Sequence, residues 1–229
     1  MTITTTGLTK AAGVSAGVAG LIFIAVQVNH PAMTVDSVAT TEWVVRNSAK
    51  VAMAALALVG ITGMYLRQFR QVGVVGLVGY LLLGAGYLLM FATEVISAYV
   101  LPGLVHLAPG YVNDLVVAAA GGSPTGDIGA MKTVLAVTGI GYMLGGLVFG
   151  VAMFRARILA RTASALLAVG TVATASLAFL PESFNRPMAV PVGLALVGLG
   201  VSLFRNARQQ GIETAPIVAR TSLVEHASV

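Results

Sequence analysis

Long apolar stretches separated by short polar ones run through the whole chain. Val72–Met90 and Val134–Phe154 contain no charged residue. About 20 mostly apolar residues in a helix, rising 1.5 Å each, cross a hydrocarbon core about 30 Å thick. Six segments meet or approach that length: about Ala11–Val28, Val51–Leu66, Val72–Ala92, Thr133–Phe154, Ala163–Leu180 and Met188–Phe204. The second and sixth are short and need their flanks, with Lys50 reaching its ammonium to the interface. The first is longer than the apolar core of a cleaved signal peptide, so it is expected to persist as a helix. A spanning β-barrel would alternate polar and apolar residues, and these runs do not. The pattern therefore predicts an all-α integral membrane protein, a bundle of six transmembrane helices in one domain over residues 1–204. A flexible polar tail is expected from 205 to 229.

The charged positions give this bundle a direction. Lys10, Arg67, Arg70, Arg155, Arg157, Arg161, Arg205, Arg208 and Arg220 would share one side with two acids, Glu213 and Glu225. The opposite side would carry Arg46, Lys50, Lys132 and Arg186 with six acids, Asp36, Glu42, Glu94, Asp114, Asp127 and Glu182. Basic residues near span ends mark the cytoplasmic side. Both termini are thus expected in the cytoplasm, and the long connections, Asn29–Lys50 and Thr93–Lys132, outside. The second of these is too apolar for a solvated loop. It reads either as one or two short helices over the bundle or as a tilted continuation of the third span to Leu101. Asp127 is placed to cap the fourth span. Lys50, two spans and Glu94 are echoed by Lys132, two spans and Glu182. This is either a duplicated hairpin or what the charge rule imposes on any two hairpins.

Composition narrows the classes further. Hydrophobic residues make up 57% and charged residues 9%, with mean hydropathy +0.92. A soluble domain carries about 25% charge, and a disordered chain needs low hydrophobicity, so both are excluded. With no cysteine, thiolate chemistry and Cys-ligated metal are excluded. The pI of about 9.9 does not imply a nucleic-acid partner, because the bases stand beside apolar spans. The expected partner is the lipid bilayer of the cell membrane. Spans rich in Ala, Val and Gly, with Arg preferred to Lys, read as the product of a GC-rich bacterial genome. Gly13/Gly17, Gly141/Gly145 and Gly146/Gly150 allow helices to approach closely, either within one bundle or between copies in a homo-oligomer.

Candidate chemistry is confined to the outer side. His30, Glu42, Glu94 and His106 combine imidazoles with carboxylates, which together bind divalent metal or move protons. They are the candidate ligand or metal site, bordered by the Thr93–Lys132 segment. Glu94 stands 22 positions beyond Val72, about 33 Å of helix, which puts it near the membrane boundary. No tight metal spacing, phosphate loop, dinucleotide fingerprint or nucleophile elbow occurs, and no cofactor is expected. Three functions remain open. The first is a non-enzymatic accessory protein binding a partner or lipid. The second is a small transporter or permease subunit acting as an oligomer. The third is an enzyme or metal binder using the external His and Glu residues.

Overall fold

The computed structural model describes residues 3–174 and 187–213, and all regular structure there is helical. The elements are α1 (Thr5–Ala25), α2 (Val35–Val38), α3 (Thr41–Val95), a π-helical turn (Ile96–Val100), α4 (Leu101–Leu104), α5 (Pro109–Ala119), α6 (Met131–Ala156), α7 (Arg161–Ala173) and α8 (Val190–Glu213). A 3₁₀ turn, Pro187–Ala189, leads into α8. Four helical runs are long and apolar enough to cross a membrane: Thr5–Ala25, Thr41–Leu104, Met131–Ala156 and Pro187–Ala207.

Threonines open three of the helices. Thr4, Thr34 and Thr40 accept from the amides of Gly7, Ser37 and Trp43 and so satisfy groups that a helix start leaves unpaired. The cap at Thr40 moves one expected boundary. The segment before Val51 is helical from Thr41, so Glu42, Trp43 and Arg46 stand on the first turns of α3 and not in a loop.

A straight helix from Thr41 to Val95 would be about 80 Å long. It is not straight, because Thr62 Oγ1 lies 3.1 Å from Tyr80 Oη and the Tyr65 and Tyr80 rings stack at 4.7 Å. The helix breaks at Gln68 (φ −139°) and Gly73 (φ +57°) and doubles back as two antiparallel arms. Gly73 takes the left-handed conformation that side chains resist. The second arm runs on through the π turn to Leu104, as in the continuation reading, and α4 and α5 supply the short helices of the other reading.

Helix neighbours follow from where backbones approach. Gly60 of the first arm rests on Ala16 of α1, and Gly86 of the second arm on the backbone of Tyr142 in α6. Gly150 of α6 meets Ser164 and Ala168 of α7, and Gly170 of α7 meets Val192 of α8. Gly200 of α8 returns to Gly13 and Gly17 of α1. The order α1, first arm, second arm, α6, α7, α8 and back to α1 is a closed ring of six antiparallel pieces. Most of the glycine pairs expected to allow close packing are used inside this ring. Its interior holds Met53, Ile61, Met64, Leu83, Tyr87, Phe149, Met153, Leu167, Leu196 and Leu199, all fully buried.

Most hydroxyls in these helices donate to the carbonyl one turn back, as Thr62, Thr138, Ser164 and Thr171 do. This spares them a partner across the bundle. Tyr87 and Tyr142 differ. Their rings meet edge to face at 5.7 Å, and neither hydroxyl has a hydrogen-bond partner.

The two ends of the ring contrast. At one, Lys10 lies over Phe204, Arg67 bonds Asn206, and Asn206 reaches the carbonyl of Ile158. The Arg67/Arg70 and Arg155–Arg161 turns therefore share this end with the start of α1 and the distal part of α8. At the other, α2, α4, α5 and the following loop form a cap over a second apolar cluster. Two expectations need correction. Asp127 does not cap α6: it accepts from Gly129 N at 2.7 Å, and α6 starts after Ala130 with no side-chain cap. That Asx turn bends the chain before the helix starts. Residues 205–213, expected in the tail, continue α8, because nothing in the sequence breaks the helix at Phe204. The last part of the expected fifth span, 175–180, and tail residues 214–229 lie outside the described residues.

Candidate functional site

The cap end carries all four candidate residues, and each has its own surroundings. Glu42 and Arg46 form an i,i+4 pair on α3 at 2.8 Å. Arg46 also donates to the carbonyls of Val26 and Val28 at 3.3 and 2.7 Å, tying the end of α1 to α3. Glu94 faces Lys50 across the two arms at 3.7 Å, both side chains less than a fifth exposed. Lys50 also donates to Asn47 Oδ1 at 3.1 Å, and Asn47, 2% exposed, donates to Trp43 O at 2.8 Å. His30 is half-buried. Its ring meets Trp43 edge-on at 6.5 Å, and its Nδ1 donates to Pro31 O at 2.8 Å. His106 is exposed, in the turn after α4.

The arrangement brings the His30 ring against Trp43, the residue that follows Glu42 in α3. It sets Glu94 against Lys50 and leaves His106 apart on the surface. Among the described residues, no three His, Asp or Glu converge as a metal site requires. What these groups accomplish together is clamping. The indole of Trp43 donates to Ser97 O at 2.8 Å, in the π turn. A π turn widens the helix and frees carbonyls from the usual ladder, and Trp43 takes one of them. The first arm thereby holds the second at its far end, where Val38, Trp43, Leu101, Val105, Val112 and Leu115 pack together.

Asp114 fixes the remaining part of the cap. It sits on α5, 8% exposed, and accepts from Thr125 N, Thr125 Oγ1 and Gly126 N, each at 3.0 Å. The Thr125 amide, backed by the Thr125 hydroxyl and the Gly126 amide, holds the Asp114 carboxyl below the ordinary carboxylate range. The value is lowered on folding, so the contribution is complete above the unfolded pKa of about 3.9. It is lost as pH falls through the folded value. Asp114→Asn is expected to speed amide exchange at Thr125 and Gly126 about tenfold or more, because bonds to a charged acceptor are the stronger class. The wild-type loop should loosen only below about pH 4. Hydrogen–deuterium exchange at pH 7 and at pH 3 checks both.

The residues missed by spacing alone were Lys50, Asn47, Ser97 and Asp114. One signal for the first was present. Lys50 stands 17 positions before the turn at 67–73 and Glu94 stands 21 positions after it, a difference of about one helical turn, so a hairpin brings them near each other. No family model, curated protein or solved structure matches the chain.

Proposed function

We propose that the chain is a six-span protein of the cell membrane with both termini in the cytoplasm and the cap outside. It acts without catalysis, as an accessory protein that binds a partner or lipid. The observation that supports this most is how the charged side chains of the cap are used. Glu42 and Glu94 are paired with Arg46 and Lys50, Asp114 is held by the loop it anchors, and the ring interior is filled with large apolar side chains. Groups that would do chemistry are instead spent on holding the cap. Six spans are favoured by the doubling of α3 and the antiparallel order of the ring. The cytoplasmic assignment of the arginine end rests on the bias of Lys and Arg to that side of the membrane. Self-association has room at Gly17, Gly84 and Gly139, where an added Cβ would meet nothing within 4 Å.

Reporter fusions in the Arg67–Arg70 and Arg155–Arg161 turns should read as cytoplasmic, and one at Pro109 as external. A cytoplasmic signal at Pro109 would overturn the orientation. For the role itself, purification in mild detergent followed by mass spectrometry should find lipid or a protein partner at fixed stoichiometry. Stoichiometric bound metal, or solute flux in proteoliposomes, would count against an accessory role.

A further inference from the structure

At the arginine end a groove of about 270 Å³ opens between the start of α7 and the flank of α8. It is lined by Ala160, Gly198, Val201, Ser202, Arg205 and Asn206. Five of these six lie on successive turns of one face of α8. From Gly198 to Arg205 is about 10 Å of helix, and over that length the lining passes from apolar to cationic. The polar end is already organised. Arg67 Nε donates to Asn206 Oδ1 at 2.6 Å, Asn206 Nδ2 donates to Ile158 O at 3.5 Å, and the amide of Ala160 donates to Ser202 Oγ at 2.9 Å. Ser202 is thus oriented with its own proton still to donate, and Arg67 is drawn to the rim as a second cation. Arg205 is exposed, and among the described residues no carboxylate pairs with it. The acidic side chains described, Asp36, Glu42, Glu94, Asp114 and Asp127, belong to the cap end, so none of the described carboxylates competes for an anion here.

We propose that this groove binds one anionic phospholipid of the inner leaflet, with an acyl chain over Gly198 and Val201 and its phosphate between Ser202 and Arg205. The inference deepens the lipid-binding reading and rests on the cytoplasmic assignment of the arginine end. The polarity gradient decides for a lipid over a free anion. Inorganic phosphate would use the Ser202–Arg205 end alone, whereas Val201, 45% exposed, needs an apolar cover. Charge favours an anionic headgroup over a zwitterionic one, because the rim offers two guanidinium groups and, among the described side chains, no carboxylate.

The test uses the full-length chain in lipid–detergent micelles, titrated with phosphatidylglycerol or phosphatidylcholine of identical acyl chains and followed by native mass spectrometry. Phosphatidylglycerol should be retained at one per chain, about fivefold or more over phosphatidylcholine, the ratio expected from one basic residue near an anionic surface. Arg205→Gln should abolish that preference, and Val201→Trp should displace the lipid. Arg70→Gln, at the same end but outside the groove, should leave retention unchanged. Both main substitutions are at exposed positions, and Ser202→Ala provides a third variant if either fails to purify. Equal retention of the two lipids, equal losses in Arg205→Gln and Arg70→Gln, or displacement by millimolar inorganic phosphate would each overturn the proposal. Equal retention of the two lipids by the unsubstituted chain, with a cytoplasmic Arg157 reporter, defeats the groove alone. An external Arg157 reporter defeats the orientation, and with it the inner leaflet as the source.

Discussion

A valine at position 145 should keep α6 from seating on the second arm of α3. The side chain would be built onto the backbone nitrogen and Cα of Leu83. Those atoms belong to the facing helix and cannot rotate away as a side-chain tip could. Overpacking that side chains can absorb costs about 1–3 kcal/mol. Here two helix axes must separate, so about 3 kcal/mol or more is expected. At roughly 2–4 °C per kcal/mol for a chain of this size, the midpoint should fall by about 6 °C or more. The single tryptophan, Trp43, is 2% exposed and reports unfolding in detergent by its emission. Gly139→Ala on the same helix is the matched control. Its added Cβ meets nothing within 4 Å, and alanine gains up to about 1 kcal/mol of helix propensity over glycine. An unchanged midpoint in Gly145→Val would mean that the two helices do not cross at that glycine.

Lys50→Met is expected to be nearly as damaging, for an electrostatic reason. It removes the ammonium opposite the mostly buried Glu94. Removing one partner of a buried pair costs about 3–5 kcal/mol, because the remaining charge keeps its desolvation penalty without compensation. With the pair's side chains 15% and 19% exposed, the lower end applies. Adding Glu94→Gln removes the stranded charge and should recover at least half of the loss. Comparing the two single variants with the double isolates the pair. Additive losses would show that Lys50 and Glu94 do not interact, which would leave the Trp43–Ser97 bond and the apolar cluster around it to hold the open ends of the α3 hairpin.

Membrane-type helices were legible because their cause is local. Apolar runs such as Val134–Phe154 have one low-energy way to satisfy their backbone in lipid, and α6 accordingly runs from Met131 to Ala156. Boundaries set by a single side chain were harder. Thr40 starts α3 ten residues before the apolar run, and hydropathy has no term for a cap. The sharing of one end by Lys10, Arg67, Arg155–Arg161 and Arg205 could be read from the chain, since charge clusters record sidedness directly. The candidate site could be read only as a list. His30, Glu42, Glu94 and His106 do lie at one end, but what each side chain faces depends on helix rotation. A quarter-turn separates Glu94 facing Lys50 from Glu94 facing lipid. Asp114 was invisible for a related reason: its partners are backbone amides of Thr125 and Gly126, which any residue can supply.

The seam between α1 and α8 has a consequence for how the chain is made. Gly13 and Gly20 lie against the backbone of Gly200, Phe204 and Gly193, so α1 packs closely on α8, which leaves the ribosome after every helix between them. Throughout synthesis of the intervening helices, that glycine stripe of α1 faces lipid and not protein. Over that interval the first arm of α3 packs on the neighbouring Ala12 and Ala16. A nascent chain stalled before residue 193 therefore displays an unfilled groove on α1, and completion of α8 removes it. The same surface that seals the ring would distinguish an open ring from a closed one, in a form that membrane-embedded chaperones and proteases recognise.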